Sequence, residues 1–99
     1  MDESGLKYLA ENVRSIENME SPNSVAEGIP ALIAKGEWWY RTHKVHGVET
    51  HGPYVNGNQF ALRFVMNITN KESGERVAMD EIAVYTMESV KISEERFYY

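Results

Sequence analysis

Cysteine is absent from the 99-residue chain, which removes disulfides, thiolate nucleophiles and cysteine-ligated zinc together. Runs of positive charge are absent too: ten Lys and Arg stand singly against fifteen Asp and Glu, for a net charge of −5. With no basic stripe to neutralise a phosphate backbone, nucleic acid is not an expected partner. No apolar run approaches the roughly 20 residues of a membrane span, and no signal-peptide core follows Met1. The expectation is a cytoplasmic protein that does not engage a membrane. Asn67-Ile68-Thr69 matches the glycosylation sequon, but without secretory features it reads as a chance match. What the chain does contain is ordinary: 42% hydrophobic and 25% charged residues, enough for one domain spanning 1–99 with a modest core.

Periodicity divides the chain into elements. Leu6, Leu9, Val13 and Ile16 follow helical spacing, yet the β-branched pair Val13 and Ile16 suits a strand, so helix and helix-then-strand both stay open. Ser21-Pro22-Asn23 breaks the chain, and Ser24 with Glu27 three residues on makes a capping box, predicting a helix from near Val25. Ile29, Leu32, Ile33, Gly36 and Trp39 continue one helical face, and the helix is expected to end near Arg41–His43. Lys44 to His51 is short and strand-compatible, and Gly52-Pro53 bends it. Asn56-Gly57 is a strong hairpin signal. Strands follow over Gln59–Thr69, Arg76–Met87 and Val90–Tyr99. The second of these presents Val77, Met79, Glu81, Ala83, Tyr85 and Met87 on one face. A helix followed by a meander predicts an α+β fold, the helix packed on one face of a curled sheet. Strands apolar on both faces predict a homodimer through the sheet.

From Ala26 to Tyr99 the stretches AEGIPALIAKGEWW, H-x-x-H, GPYVNGNQFALRF, TNKESGERVAMDEIAVYTM and VKISEERFYY occur in order. This succession resembles the SnoaL-like group of the nuclear transport factor 2-like superfamily. The resemblance implies a curved, mostly antiparallel sheet forming a cone-shaped barrel around a main helix. It also implies a cavity for a small apolar or carbonyl-containing ligand. The superfamily includes polyketide cyclases, ketosteroid isomerases, epoxide hydrolases and dehydratases, and binding modules without catalysis, so fold carries over better than function. Two departures stand out. About twenty residues precede Ser21, so the N-terminal helical lid is expected to be short, leaving the cavity open or completed by a second subunit. The family's D-G-K-I turn is here Ser89-Val90-Lys91-Ile92, and counting back from it puts Ala83 where many family enzymes carry a cavity aspartate.

Glu81 is the first catalytic candidate, a carboxylate on an otherwise apolar strand face. In a cavity, desolvation would raise its pKa and suit it to proton transfer. Pairing Asn67 with Val77 across the 70–75 turn puts Arg63 opposite Glu81, so a structural ion pair competes with the acid/base role. His43 and His46 are the other catalytic candidates: on a helix they share a face, on a strand they oppose, and one of them is expected in the cavity. The competing role for either is to cap helix carbonyls.

Trp38 and Trp39 divide between core and cavity wall or dimer contact. Arg63 and Tyr85 are candidates to steady developing negative charge, Tyr85 competing with a plain core role. Met79 is a candidate for the ligand wall. Asp80 faces away from Glu81. His43, His46, His51 and Glu81 supply ligand-type atoms, but H-x-x-H without an adjacent acidic motif is weak and the superfamily seldom uses metals, so no metal or other cofactor is expected. The expectation is proton-transfer chemistry on a small ligand, with non-catalytic binding or dimerisation as the rival.

Overall fold

The computed structural model describes residues 7–18 and 24–99. Leu6 and the Ser21–Asn23 break lie outside the described residues. The elements are β1 (Leu9–Ile16), β2 (Val25–Glu27), α1 (Ile29–Thr42), β3 (His43–Asn56), β4 (Gln59–Asn70), β5 (Arg76–Glu88) and β6 (Lys91–Tyr98). They form one six-stranded sheet in the order β2-β1-β6-β5-β4-β3. Every neighbouring pair is antiparallel except β1 and β6, which run parallel. The outer strands β2 and β3 are not bonded to each other, so the expected barrel is an open, curled sheet with α1 across it. No described helix is long and apolar enough to cross a membrane.

The first segment is a strand throughout. Leu9 and Val13, four apart, fit a strand as well as a helix because both fall on one face of a period-two strand, whereas Ile16 falls on the other face and is only partly buried. Leu9, Val13 and Ser15 share the inner face and are buried, and Leu9 and Val13 join Leu32 of α1 as the core, with Ala26, Ile29 and Ile92 packed around them.

The helix predicted from Val25 begins at Ile29 instead. Val25–Glu27 pairs with Arg14–Ile16, and those ladder bonds take the backbone that the Ser24/Glu27 box would have capped. Gly28 is the N-cap, with no side-chain cap and φ of 90°, a conformation few other residues adopt. Its N–H donates to the Val13 carbonyl at 2.7 Å while its carbonyl accepts from the Leu32 N–H at 3.1 Å, so this one residue joins sheet to helix. Pro30 falls in the first turn, where a missing N–H costs little. At the other end the Thr42 hydroxyl donates to the Trp38 carbonyl at 2.9 Å, and His43 is already extended.

β3 is one strand where a short, bent one was expected. It bends at Gly52, whose φ is 115° and where a Cβ would meet the Ala61 carbonyl oxygen at 2.8 Å, so only glycine fits. The Gly52-Pro53 bond is cis. The Asn56-Gly57 hairpin forms as predicted, closing at the Asn56–Gln59 pair.

β4 and β5 pair one residue away from the predicted register. Ile68 faces Val77, Phe64 faces Glu81 and Arg63 faces Ile82. Because side chains alternate, a slip of one residue moves Arg63 to the face opposite Glu81. There it grips Asp80 and cannot form the expected pair with Glu81. At the last hairpin Ser89, not Val90, takes the positive φ, 57°.

Candidate functional site

Between α1 and the concave face of the sheet lies a cleft of about 1160 Å³. Its apolar wall comes from alternate residues of the central strands, chiefly Phe64 and Met66 of β4, Met79 of β5 and Phe97 of β6. Leu32, Trp38, Trp39 and Tyr40 of α1 and His43 at the helix–strand junction form the other side. Trp38 and Tyr40 remain 53% and 61% exposed, so these rings stand at the mouth rather than in the core.

Set into this wall is a polar group that pattern reading missed apart from Glu81. Glu17, Lys35, Glu81 and Glu95 all line the cleft, with Ser15 buried among them. The Lys35 ammonium contacts Glu17 Oε1 at 2.5 Å and donates to Ser15 Oγ at 2.6 Å. It also sits 5.0 Å above the Phe97 ring, a cation–π contact. Lys35 is the only Lys or Arg among the described residues lining the cleft.

Burial dominates the carboxylates. It raises the pKa of Glu81, Glu17 and Glu95 add repulsion, and Lys35 opposes. Glu95 is likewise raised, first by burial, while its hydrogen bond with Ser15 and the charge of Lys35 pull it back. Tyr85 is pushed up to about 12, again chiefly by burial.

His43 Nδ1 lies 3.0 Å from the Trp39 carbonyl oxygen, which can only accept. The Thr42 hydroxyl lies 2.9 Å from the same nitrogen, so Nδ1 is engaged at the helix end and Nε2 is the ring nitrogen left without a protein partner among the described residues. The ring also stacks on Trp39, with centroids 4.8 Å apart.

The structure gathers Glu81, His43, Trp38, Trp39 and Met79 around the cleft. Three other candidates are elsewhere. His46 is exposed on the extended chain, Nε2 against Thr69 Oγ1 at 2.6 Å, and is not a cleft residue. Arg63 points outward with Asp80, as the register requires. Tyr85 shares the face of Glu81 but stacks on Phe60 with centroids 4.9 Å apart, outside the cleft lining. Among the described residues, no group of three or more His, Asp or Glu is placed to hold a metal ion.

The missed residues had a signal. Glu95 shares one face of β6 with Phe97, and Lys35 interrupts the apolar stripe of α1 between Leu32 and Trp39. A charge on the apolar face of two elements marks a place where both faces converge.

The chain resembles several solved structures. A Mesorhizobium loti protein assigned as a SnoaL-like polyketide cyclase is 52% identical over 99% of this chain and 86% of its own, with a TM-score of 0.93. A nuclear transport factor 2-like protein from Burkholderia xenovorans is 18% identical over 94% of this chain and 72% of its own, with a TM-score of 0.78. A Catenulispora acidiphila protein with a ketosteroid isomerase-like fold is 12% identical over 94% of this chain and 70% of its own, with a TM-score of 0.76. The latter two show the shared fold alone. No curated protein matches the chain. The SnoaL-like domain family matches residues 3–99, nearly the whole sequence. With an open α+β cone around a cleft and a relative sharing half its residues, the chain belongs to the SnoaL-like domain family.

Proposed function

We propose that the cleft binds a small, largely apolar, carbonyl-containing molecule and moves a proton on it, in an isomerisation, aldol-type cyclisation, dehydration or hydrolysis. The observation that carries this reading is Glu81: a half-buried carboxylate, raised by desolvation, beside an apolar wall of Phe64, Met66 and Met79. Glu81 takes a proton from carbon next to the carbonyl, which its raised basicity favours. His43, its Nδ1 engaged by Trp39 and Thr42, offers Nε2 as the second proton carrier, able to donate toward the developing oxyanion when protonated. The apolar wall keeps water from competing, and Trp38 and Tyr40 at the mouth cover the ligand's outer edge.

The test is conversion of 3-cyclohexenone, a small β,γ-unsaturated ketone, to its conjugated isomer, followed by absorbance across pH. The expected kcat/KM profile is bell-shaped, and Glu81→Gln lowers it by about 100-fold or more. Turnover unchanged in Glu81→Gln would remove Glu81 from the mechanism.

A second reading, binding without catalysis, is supported by Ala83. The residue is fully buried at the position where many family enzymes carry an aspartate. Saturable binding of the ketone with no turnover at any pH would favour it. As a partner we infer a second copy against the convex face, where Tyr54, Ile82 and Tyr98 are exposed. Light scattering at the mass of one chain would exclude that dimer.

A further inference from the structure

The cleft brings one ammonium, Lys35, among the carboxylates of Glu17, Glu81 and Glu95, with Glu27 also in the lining, and the strand register places Glu81 and Glu95. On β5 and β6, Ala83 faces Phe97 and Tyr85 faces Glu95, and Glu81 lies two residues before Ala83 on the same face of β5. Phe97 therefore occupies the row between that of Glu81 and that of Glu95. Lys35 Nζ sits over that middle ring, so the ammonium stands between the two carboxylates rather than beside either one. Glu17, which follows β1, and Ser15, buried opposite Glu95, hold it there from the third side.

We propose that Lys35 is a positioning residue for Glu81: fixed by Glu17 and Ser15 over Phe97, its charge stands between the Glu81 and Glu95 carboxylates and favours the ionised form of Glu81. This rests on the reading of Glu81 as the base. The other titratable groups around Glu81 are Glu95 and Tyr99 from β6 and its continuation, Glu17 beyond β1, Glu27 of β2, Tyr40 and His43 at the helix end, and Tyr85 on its own strand. The carboxylates among them oppose ionisation, and the tyrosines are neutral near pH 7. Lys35 is the one fixed cation in the set. The geometry also explains why a lysine is tolerated on the apolar stripe of α1. Its ammonium lies over the Phe97 ring and is satisfied by a carboxylate and a hydroxyl.

The experiment reads Glu81 directly, by the carboxyl carbon resonances of glutamate-labelled protein titrated without ligand and assigned with Glu81→Gln. Lys35→Gln keeps a donor for Glu17 and Ser15 but removes the charge, and is expected to move the Glu81 midpoint up by about half a unit or more. Lys35→Arg restores the charge and most of the wild-type midpoint. Lys35→Met, which keeps an unbranched apolar stem, gives the same upward shift and serves where Lys35→Gln does not fold. An unmoved Glu81 midpoint in the neutral variants, or a shift that Lys35→Arg fails to reverse, overturns the proposal. In turnover, the acidic limb of the kcat/KM profile moves up by the same interval in Lys35→Gln. Turnover surviving in Glu81→Gln defeats the base assignment instead, and the resonance titration distinguishes that failure from one of Lys35.

Discussion

Arg63 and Asp80 hold each other bidentately on the convex face, Nε to Oδ1 at 2.9 Å and Nη2 to Oδ2 at 2.7 Å. The pair lies on the side of the sheet away from the cleft. Asp80 is held below the ordinary aspartate range, first by its hydrogen bonds from Arg63. Its contribution to stability is therefore present above the ordinary aspartate pKa and lost as pH falls through the lowered value. Both side chains are about half exposed, so Arg63→Ala is expected to lower the melting temperature only slightly, and the difference to vanish in high salt. Ligand affinity is expected to be unchanged, which calorimetry with and without added salt would check.

Glu81 has the opposite sign. Its folded pKa is raised, so protonation favours the folded state. That stabilisation is complete below the ordinary glutamate value and is lost as pH rises through the raised one. Glu81→Gln is expected to be more stable than the parent at pH 7 and to lose that advantage by about pH 4. Urea midpoints of the two proteins at both pH values decide this, and a constant difference would contradict it.

The buried core is small, so each member counts. Leu32 is 2% exposed and packs against Leu9 and Val13. Leu32→Ala is expected to cost about 2–5 kcal/mol in urea unfolding, through lost burial and the cavity left behind.

Ser89 holds a φ of 57° in the β5–β6 hairpin. A side chain there is strained, and glycine is not. Ser89→Gly is expected to raise stability by about 1 kcal/mol, and Ser89→Val to lower it. An unchanged urea midpoint in Ser89→Gly would show that the hairpin relieves the strain by other means.

Both tryptophans of the chain line the cleft. Tryptophan emission, excited selectively over tyrosine, therefore reports on the cleft, and a bound ketone is expected to alter it in proportion to occupancy. Trp39→Phe should remove part of that change and also loosen His43, which stacks on it.

The central strands were legible because one face of each is apolar over many residues, and a period of two survives any neighbour. Their register was not. It depends on the loop after β4, where the Asn70 side chain accepts from the Glu72 and Ser73 N–H groups and Gly74 donates back to the Asn70 carbonyl. That arrangement sets the closing pair at Thr69–Arg76, and nothing in the alternation of hydrophobic residues specifies it. The capping box at Ser24 failed for a related reason. Its residues found ladder partners in β1, and tertiary pairing outweighed a local preference. Glu81 stood out within one strand. Lys35, Glu17 and Ser15 became meaningful only once a helix and the first strand were folded onto the last.

The parallel pairing of β1 with β6 also bears on how the protein forms. Ser15 and Glu95 are direct partners although 80 positions separate them. The hairpins of β3, β4 and β5 close short loops, whereas this contact closes nearly the whole chain, and the entropy of doing so delays it. In refolding, the meander is expected to acquire protected amides first and β1 last. The cleft would then gain its lysine–carboxylate cluster only in the final step, so an intermediate with a complete meander would still lack a working site.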